Sequence, residues 1–360
     1  MPENDSCDGH SSNGGYNISG SGGMGGLWDP KYWLPRDVGW EDLPINFYDL
    51  IYPIYFAIPI LIFRVLLESF VGFGVGCLLG VVPREELSAR IKNHLCGGFA
   101  RYTRSKRVLE CMFRFVTYSM LFSYGYFVLS DKSWFADVKN CWIGFPFHKI
   151  ENSVWWYYML ETGFYYALFF GSVFDVKRSD FWQLVLHHVI TIMLLSVSWT
   201  INFVRIGTLV LICHDISDII LEAGKLVRYY GSPSFITNCF FFAFLISWFV
   251  TRLGYFPFVL LRSGLFEAAD LIQPDYKILN LYQVPHIPRV IILMLLCLLV
   301  LHVFWTVIIM KIVIRSITVG EAADVRSESE EEDNFDPSNR QKLLKTRKER
   351  NAAVSNKKGQ

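Results

Sequence analysis

The stretch that decides the fold is 181–224, FWQLVLHHVITIMLLSVSWTINFVRIGTLVLICHDISDIILEAG. It contains two apolar segments, 181–200 and 203–224, and each has the roughly 20 mostly apolar residues that a membrane-spanning helix needs. Because only a few residues join the two segments, we expect them to form antiparallel neighbouring helices. The chain is therefore predicted to cross a membrane at least twice in this region.

Segments of the same kind occur on both sides of this pair. They are 48–67, 110–130, 154–174, 235–261 and 289–314. The shorter, glycine-rich run 71–82 is interpreted as an extension of the first helix or as a re-entrant piece. Composition agrees, since 52% of the residues are hydrophobic and only 19% are charged, against about a quarter in soluble domains. We predict an all-α fold, a polytopic membrane helix bundle of about seven transmembrane helices with an internal polar cluster and a lipid cavity.

The distribution of Lys and Arg predicts the topology, because these residues favour cytoplasmic loops. They are dense in 84–108 and sparse in 131–153, which places the N-terminus in the lumen and the C-terminus in the cytosol. Asn17 begins an Asn-Ile-Ser glycosylation acceptor, which functions only in the lumen. The final residues include Lys357 and Lys358, a pattern like those that retrieve proteins to the endoplasmic reticulum. The predicted location is the endoplasmic reticulum membrane.

The same features divide the chain into regions. They are a lumenal disordered N-terminus with a pre-span segment (1–44), the first transmembrane helix with its apolar extension (45–83), a basic cytosolic loop (84–108), the main transmembrane domain (109–316) and a disordered cytosolic tail (317–360). The net charge of +1 gives no electrostatic footprint for nucleic acid.

Ionisable residues inside two adjacent spans form the candidate site. One helix face of the first span carries Gln183, His187, Thr191 and Ser198, with His188 beside them. A narrow arc of the second carries His214, Asp215, Asp218, Glu222 and Lys225. Such groups are costly in lipid and are functional candidates by default. Aligning the helices at their turn sets His187 level with Asp218 in the cytosolic half of the membrane, so we expect these side chains to face the bundle interior.

Residues 186–230 closely resemble the ceramide synthase (longevity-assurance) family of TLC-domain proteins. The likeness extends to WLPRDVGWEDL at 33–43, DKSWFADVKNCW at 131–142, WWYYMLETGFYYALFF at 155–170 and the acidic DVRSESEEE at 324–332. Some members carry a homeodomain-like segment after the first span. Only about 25 residues, 84–108, stand in that place here, so the chain resembles the type that lacks this segment, and 109–316 corresponds to the TLC-like catalytic domain.

The resemblance implies a sphingoid base N-acyltransferase that makes ceramide or dihydroceramide from fatty acyl-CoA. A protonated amine must lose a proton before it attacks, so a general base near neutral pH is needed, and histidine is the obvious candidate. The catalytic candidates are His187, His188, His214, Asp215 and Asp218. The substrate-binding candidates are Glu222, Thr191, Ser198, Asn202 and Arg205. An acyl-imidazole route through His187 is an alternative. Acyl-CoA is a co-substrate, no other cofactor and no metal is expected, and a homo- or heterodimer is a further expectation.

Other interpretations stay open. The chain could be a non-enzymatic TLC-domain protein that binds or traffics membrane lipid, or a zinc-dependent seven-span lipid amidase. Aromatic residues of the third and sixth spans are candidates for a cavity lining: Tyr157, Phe164, Phe241, Phe244 and Trp248. Ser327 and Ser329 lie in the acidic run of the tail and are candidate phosphorylation sites. In the family that the chain resembles, the segment before the last span influences which acyl-chain length is used. In this chain that segment is about 262–289.

Overall fold

The computed structural model describes residues 26, 28–79, 82–100, 104–176 and 179–319. These residues are helical and contain no strand. The long helices are α1 (Phe47–Leu78), α2 (Arg84–Leu95), α3 (Arg104–Leu129), α4 (Asn152–Gly171), α5 (Phe181–Thr200), α6 (Val204–Tyr229), α7 (Phe235–Ile272) and α8 (Ile287–Val319). The all-α prediction is confirmed for this part of the chain.

Each of the seven predicted spans coincides with one of these helices, and α2 is the helix that matches none of them. Helix α1 runs without a break through a π-helical turn at Leu67–Gly72 to Leu78, so the run after the first span extends that helix. Helix α7 continues to Ile272, beyond its predicted end at 261. By length and composition, α1, α5, α7 and α8 are able to cross a membrane.

The segment 84–108, predicted as a basic cytosolic loop between two spans, contains helix α2 in its first half. Pro83 precedes the first turn, which holds Glu85 and Glu86, and the last turn holds Lys92 and His94. Acidic groups at the N-terminus and basic groups at the C-terminus of a helix both stabilise it through its dipole.

Helices α5 and α6, which the sequence predicts to be antiparallel neighbours, pack mainly against other helices. Helix α5 packs against α4 and α8, whereas α6 packs against α3 and α7. The two helices meet at their connecting turn, where the Ser198 hydroxyl donates a hydrogen bond to the Phe203 carbonyl (2.9 Å). Further along, polar side chains of both helices, among them His187 of α5 and Asp218 of α6, line a shared pocket.

Candidate active site

A pocket of about 170 Å³ lies among α3, α4, α5, α6, α7 and α8. Its ionisable lining residues are Glu110, Arg114, Tyr118, Asp175, Asp180, His187, His188, Asp218, Glu222, Lys225 and Arg252. Four of the predicted site residues are therefore brought together: both histidines of α5 and the two carboxylates Asp218 and Glu222 of α6. An arrangement of imidazoles beside carboxylates has the chemical groups needed for proton transfer or nucleophilic attack.

The histidine pair stands at the wall formed by α5. The ring centroids of His187 and His188 are 5.8 Å apart, and the Tyr165 ring lies 6.4 Å from each. The Trp305 ring of α8 meets His187 edge-on at 5.5 Å. Among the described residues, neither Nδ1 atom has a hydrogen-bond partner. The aromatic rings hold the imidazoles in place while their nitrogens keep hydrogen-bonding capacity for another molecule.

The two α6 carboxylates in the pocket each have a cationic partner. Asp218 Oδ2 accepts a hydrogen bond from Arg252 Nη2 (2.8 Å). Glu222 Oε1 is 2.7 Å from Lys225 Nζ and 3.3 Å from Arg114 Nε. These ion pairs balance the charges of the two α6 carboxylates inside the bundle, because a buried charge without a partner is costly. A substrate ammonium group at Glu222 would compete with two protein cations.

His214 and Asp215 do not line the pocket. Asp215 is fully buried, as is Glu161 of α4, and among the described residues no carboxyl oxygen of either side chain has a hydrogen-bond partner. His214 Nδ1 is 2.6 Å from the Val210 carbonyl oxygen, and its ring centroid is 5.0 Å from that of His302 on α8. The structure thus places two of the five catalytic candidates behind the pocket wall, where they contact neighbouring helices.

Asn202 lies in the turn between α5 and α6 and Arg205 in the first turn of α6, and neither lines the histidine pocket. The Asn202 amide donates hydrogen bonds to the carbonyl oxygens of Pro146 (2.6 Å) and His148 (2.9 Å). Arg205 Nη1 donates to the Asn140 carbonyl (2.8 Å). Burial lowers the pKa of His148, so its ring is neutral at physiological pH. These contacts fasten the turn to the segment between α3 and α4.

The remaining predictions of the lining have mixed outcomes. Phe244 and Trp248 line the pocket, but Tyr157, Phe164, Phe241, Thr191 and Ser198 do not. Tyr157 and Phe164 are fully buried in the packing between helices. Helical periodicity alone does not distinguish an aromatic residue that faces a pocket from one that faces another helix. Asn17, Ser327 and Ser329 lie outside the described residues, as does the predicted tail from residue 320 onward, whereas 317–319 continue helix α8.

Sequence reasoning missed several polar residues around the pocket. They are Arg114, Glu161, Arg252, His302 and Trp305. The available signal was the occurrence of ionisable residues inside otherwise apolar spans, which applies to Glu161 on α4, to Arg252 on α7 and to His302 on α8. Within the described residues, no group of three or more His, Cys, Asp or Glu side chains is arranged to hold a metal ion.

A buried ion network adjoins the pocket at the ends of α1 and α3. Arg64 of α1 pairs with Glu68 (2.8 Å), with Asp175 and with Glu110 of α3 (3.9 Å). His94 of α2 lies 3.2 Å from Glu68. Since Glu110 and Asp175 also line the pocket, the network joins the first two helices to the candidate site.

Comparison with known proteins gives the class and then the family. Residues 107–311 match the model of the TLC domain, a span that includes every residue of the pocket. The chain is 51% identical to ceramide synthase hyl-1 of Caenorhabditis elegans, over 85% of this chain and 84% of that protein. It is 39% identical to ceramide synthase hyl-2 of the same organism, over 84% and 93%, and 31% identical to human ceramide synthase 5, over 86% and 88%. The chain belongs to the ceramide synthase family of TLC-domain proteins.

Proposed function

We propose that the protein is an acyl-CoA-dependent N-acyltransferase that joins a fatty acyl group to the amine of a sphingoid base, forming ceramide or dihydroceramide. The observation that carries this proposal is the shared pocket of His187, His188 and Asp218 inside an apolar bundle. Relatives at 51% and 39% identity are named ceramide synthases, which supports the same conclusion. The reaction breaks a thioester C–S bond and forms an amide C–N bond.

In the direct route, an imidazole of the histidine pair removes a proton from the substrate ammonium group. The neutral amine then attacks the thioester carbonyl, and coenzyme A leaves as a thiolate that takes up the second proton lost by the nitrogen. General-base assistance of this kind is worth about 10²–10⁴-fold in rate. The thioester has a good leaving group, so the route uses no strong acid and no metal or organic cofactor.

In the covalent route, the neutral His187 ring attacks the acyl carbonyl first. An acyl-imidazole forms as coenzyme A departs, and the sphingoid amine then attacks that intermediate and releases the histidine. His188 is close enough, at 5.8 Å between ring centroids, to serve as the base in the second step. The two routes share the same pocket. They differ in whether the acyl group is transferred to His187 before the sphingoid amine binds.

The proposed membrane arrangement has all seven long helices other than α2 crossing the endoplasmic reticulum membrane, with a lumenal N-terminus and a cytosolic C-terminus. The pocket is lined by Asp175 and Asp180 between α4 and α5, and by Lys225 near the end of α6. These residues lie at the predicted cytosolic side. Coenzyme A would therefore remain in the cytosol while both hydrocarbon chains stay in the bilayer. Assembly into a homo- or heterodimer is a further part of the proposal.

The decisive experiment uses the full-length protein purified into lipid nanodiscs. It is supplied with sphinganine and a series of acyl-CoAs, and the products are measured by mass spectrometry. We expect N-acyl sphinganine and coenzyme A in equal amounts. Specific lipid binding without product would favour the non-enzymatic alternative. Ceramide hydrolysis by protein carrying one zinc per chain would favour the amidase.

A further inference from the structure

Arg252 is a buried cation that the proposed reaction has so far left without a role. It lies in the π-helical part of α7, Phe249–Leu261, and is 3% exposed. Its side chain lines the pocket together with His187 and Trp248, and its guanidinium carbon is 5.2 Å from the centroid of the Trp248 ring. A cation at this depth is costly unless the protein uses it.

Helix α6 fixes the orientation of the guanidinium group through three hydrogen bonds. Nε donates to Ser217 Oγ (3.1 Å), and Nη2 donates to the His214 carbonyl oxygen (2.9 Å) and to Asp218 Oδ2 (2.8 Å). Three acceptors on one helix define both the position and the plane of a rigid fork. Balancing the charge of Asp218 would have required only one of these bonds.

The third nitrogen, Nη1, retains hydrogen-bonding capacity. A guanidinium group has five N–H bonds, two of them on Nη1. The contact of Nη1 in the described residues is with His302 Nε2, at 3.4 Å, which occupies at most one of these two. At least one N–H of this buried, rigidly held cation therefore has no partner among the described residues, in a side chain that lines the pocket.

We propose that Arg252 is a further catalytic residue, whose Nη1 stabilises the negative charge that develops on the acyl carbonyl oxygen. When nitrogen attacks the carbonyl carbon, the C=O electron pair moves onto oxygen. It returns when the C–S bond breaks and coenzyme A leaves with the bonding electrons. A preorganised donor in a site that excludes water is the usual means of stabilising such an oxyanion. This inference rests on the proposed acyl transfer.

The test compares two donors of equal chain length, an ordinary acyl-CoA and its α,α-difluoro analogue. Fluorine stabilises the oxyanion, so the fluorinated donor depends less on Arg252. With the ordinary donor, Arg252→Lys should lower kcat by about 10²-fold, the usual effect of losing one oxyanion donor. KM should change little, and the kcat loss with the fluorinated donor should be several-fold smaller.

Two further variants keep the proposal falsifiable. Ser217→Ala leaves the cation in place but loosens it, and should give a few-fold loss of kcat with the same donor dependence. Arg90→Lys, at an arginine of α2 that lies outside the pocket and has a side chain 39% exposed, is the control and should leave kcat unchanged. Equal losses with both donors, or a change in KM alone, would overturn the proposal. Absence of transfer by the wild-type protein with either donor would instead contradict the proposed function.

Discussion

The two ends of the helix bundle differ in the side chains that surround their pockets. The pocket of the histidine pair is surrounded by buried ion pairs such as Arg252–Asp218 and Arg114–Glu222. A second pocket, of about 70 Å³, lies at the other end and is lined mainly by apolar side chains that include Ile201, Leu260 and Ile292. Charges are thus buried where they enclose the candidate chemistry, and the opposite end is suited to hydrocarbon.

At the apolar end, ion pairs such as Arg36–Asp275 (2.6 Å) join exposed side chains, and the Arg289 guanidinium bonds backbone carbonyls. Arg289 donates to the carbonyl oxygens of Ile278 (2.8 Å), Gln283 (2.7 Å) and Asn280 (2.6 Å) and so folds the α7–α8 connection onto α8. Such bonds have alternatives in water, whereas a buried carboxylate that loses its cation has none. The difference indicates that substitutions at the two ends should have unequal costs.

The largest expected effect on stability is at the ion network. Arg64→Met leaves Glu68, Asp175 and Glu110 without one of their cations, and breaking a buried pair in this way costs about 3–5 kcal/mol. We expect the Tm of purified protein to fall by on the order of 10 °C. Arg90→Met removes an exposed pair with Glu86 and serves as control, with a loss of about 0–1 kcal/mol. Similar Tm values for the two variants would show that burial of the network does not matter.

The apolar end is expected to influence the choice of acyl donor. Ala269 lines the apolar pocket, and Ala269→Leu would fill part of it. If the end of the acyl chain occupies this space, each excluded methylene costs about 0.8 kcal/mol, or about fourfold in relative kcat/KM. Longer donors should therefore lose activity relative to shorter ones in a competition assay with mixed acyl-CoAs. An unchanged chain-length profile would remove the apolar pocket from the acyl path.

The sides of the membrane on which the N-terminus and the C-terminus lie can be determined with variants that have little effect on activity. Asn17→Gln should abolish a glycan-sized mass shift, because the N-terminus is predicted to be lumenal. A tag after residue 360 should be accessible when the plasma membrane alone is permeabilised. Accessibility of that tag only after all membranes are permeabilised would invert the arrangement and move the histidine pocket to the lumenal side.

The smallest expected effect concerns the acidic tail. Phosphorylation of Ser327 and Ser329 would add about −1.5 to −2 charges per site. We expect the tail to extend further or to contact basic residues around α2. The double variant Ser327→Ala, Ser329→Ala, compared with phosphorylated wild type, should show a modest change in activity or in oligomer size. Identical values for both would leave the tail without a regulatory role.

The sequence predicted the helices well because apolar length depends little on tertiary contacts. It also predicted that His187, His188, Asp218 and Glu222 would share an enclosed site, since a charged stripe cannot face lipid. It did not predict which of Asp215 and Asp218 lines the pocket, because these two residues lie about one helical turn apart on the same arc of α6. The full burial of Asp215 depends on how α6 packs against its neighbours, which periodicity does not reveal.

Turnover of His187→Ala and His188→Ala in nanodiscs tests the central claim most directly. Each variant should lose about 10²-fold or more in kcat, with a Tm close to that of wild type. His286→Ala is the control, because that ring lies outside the histidine pocket and stacks on Tyr32 at 5.6 Å. Near-normal N-acyl sphinganine synthesis by both pocket variants would contradict the assignment of the chemistry to this site.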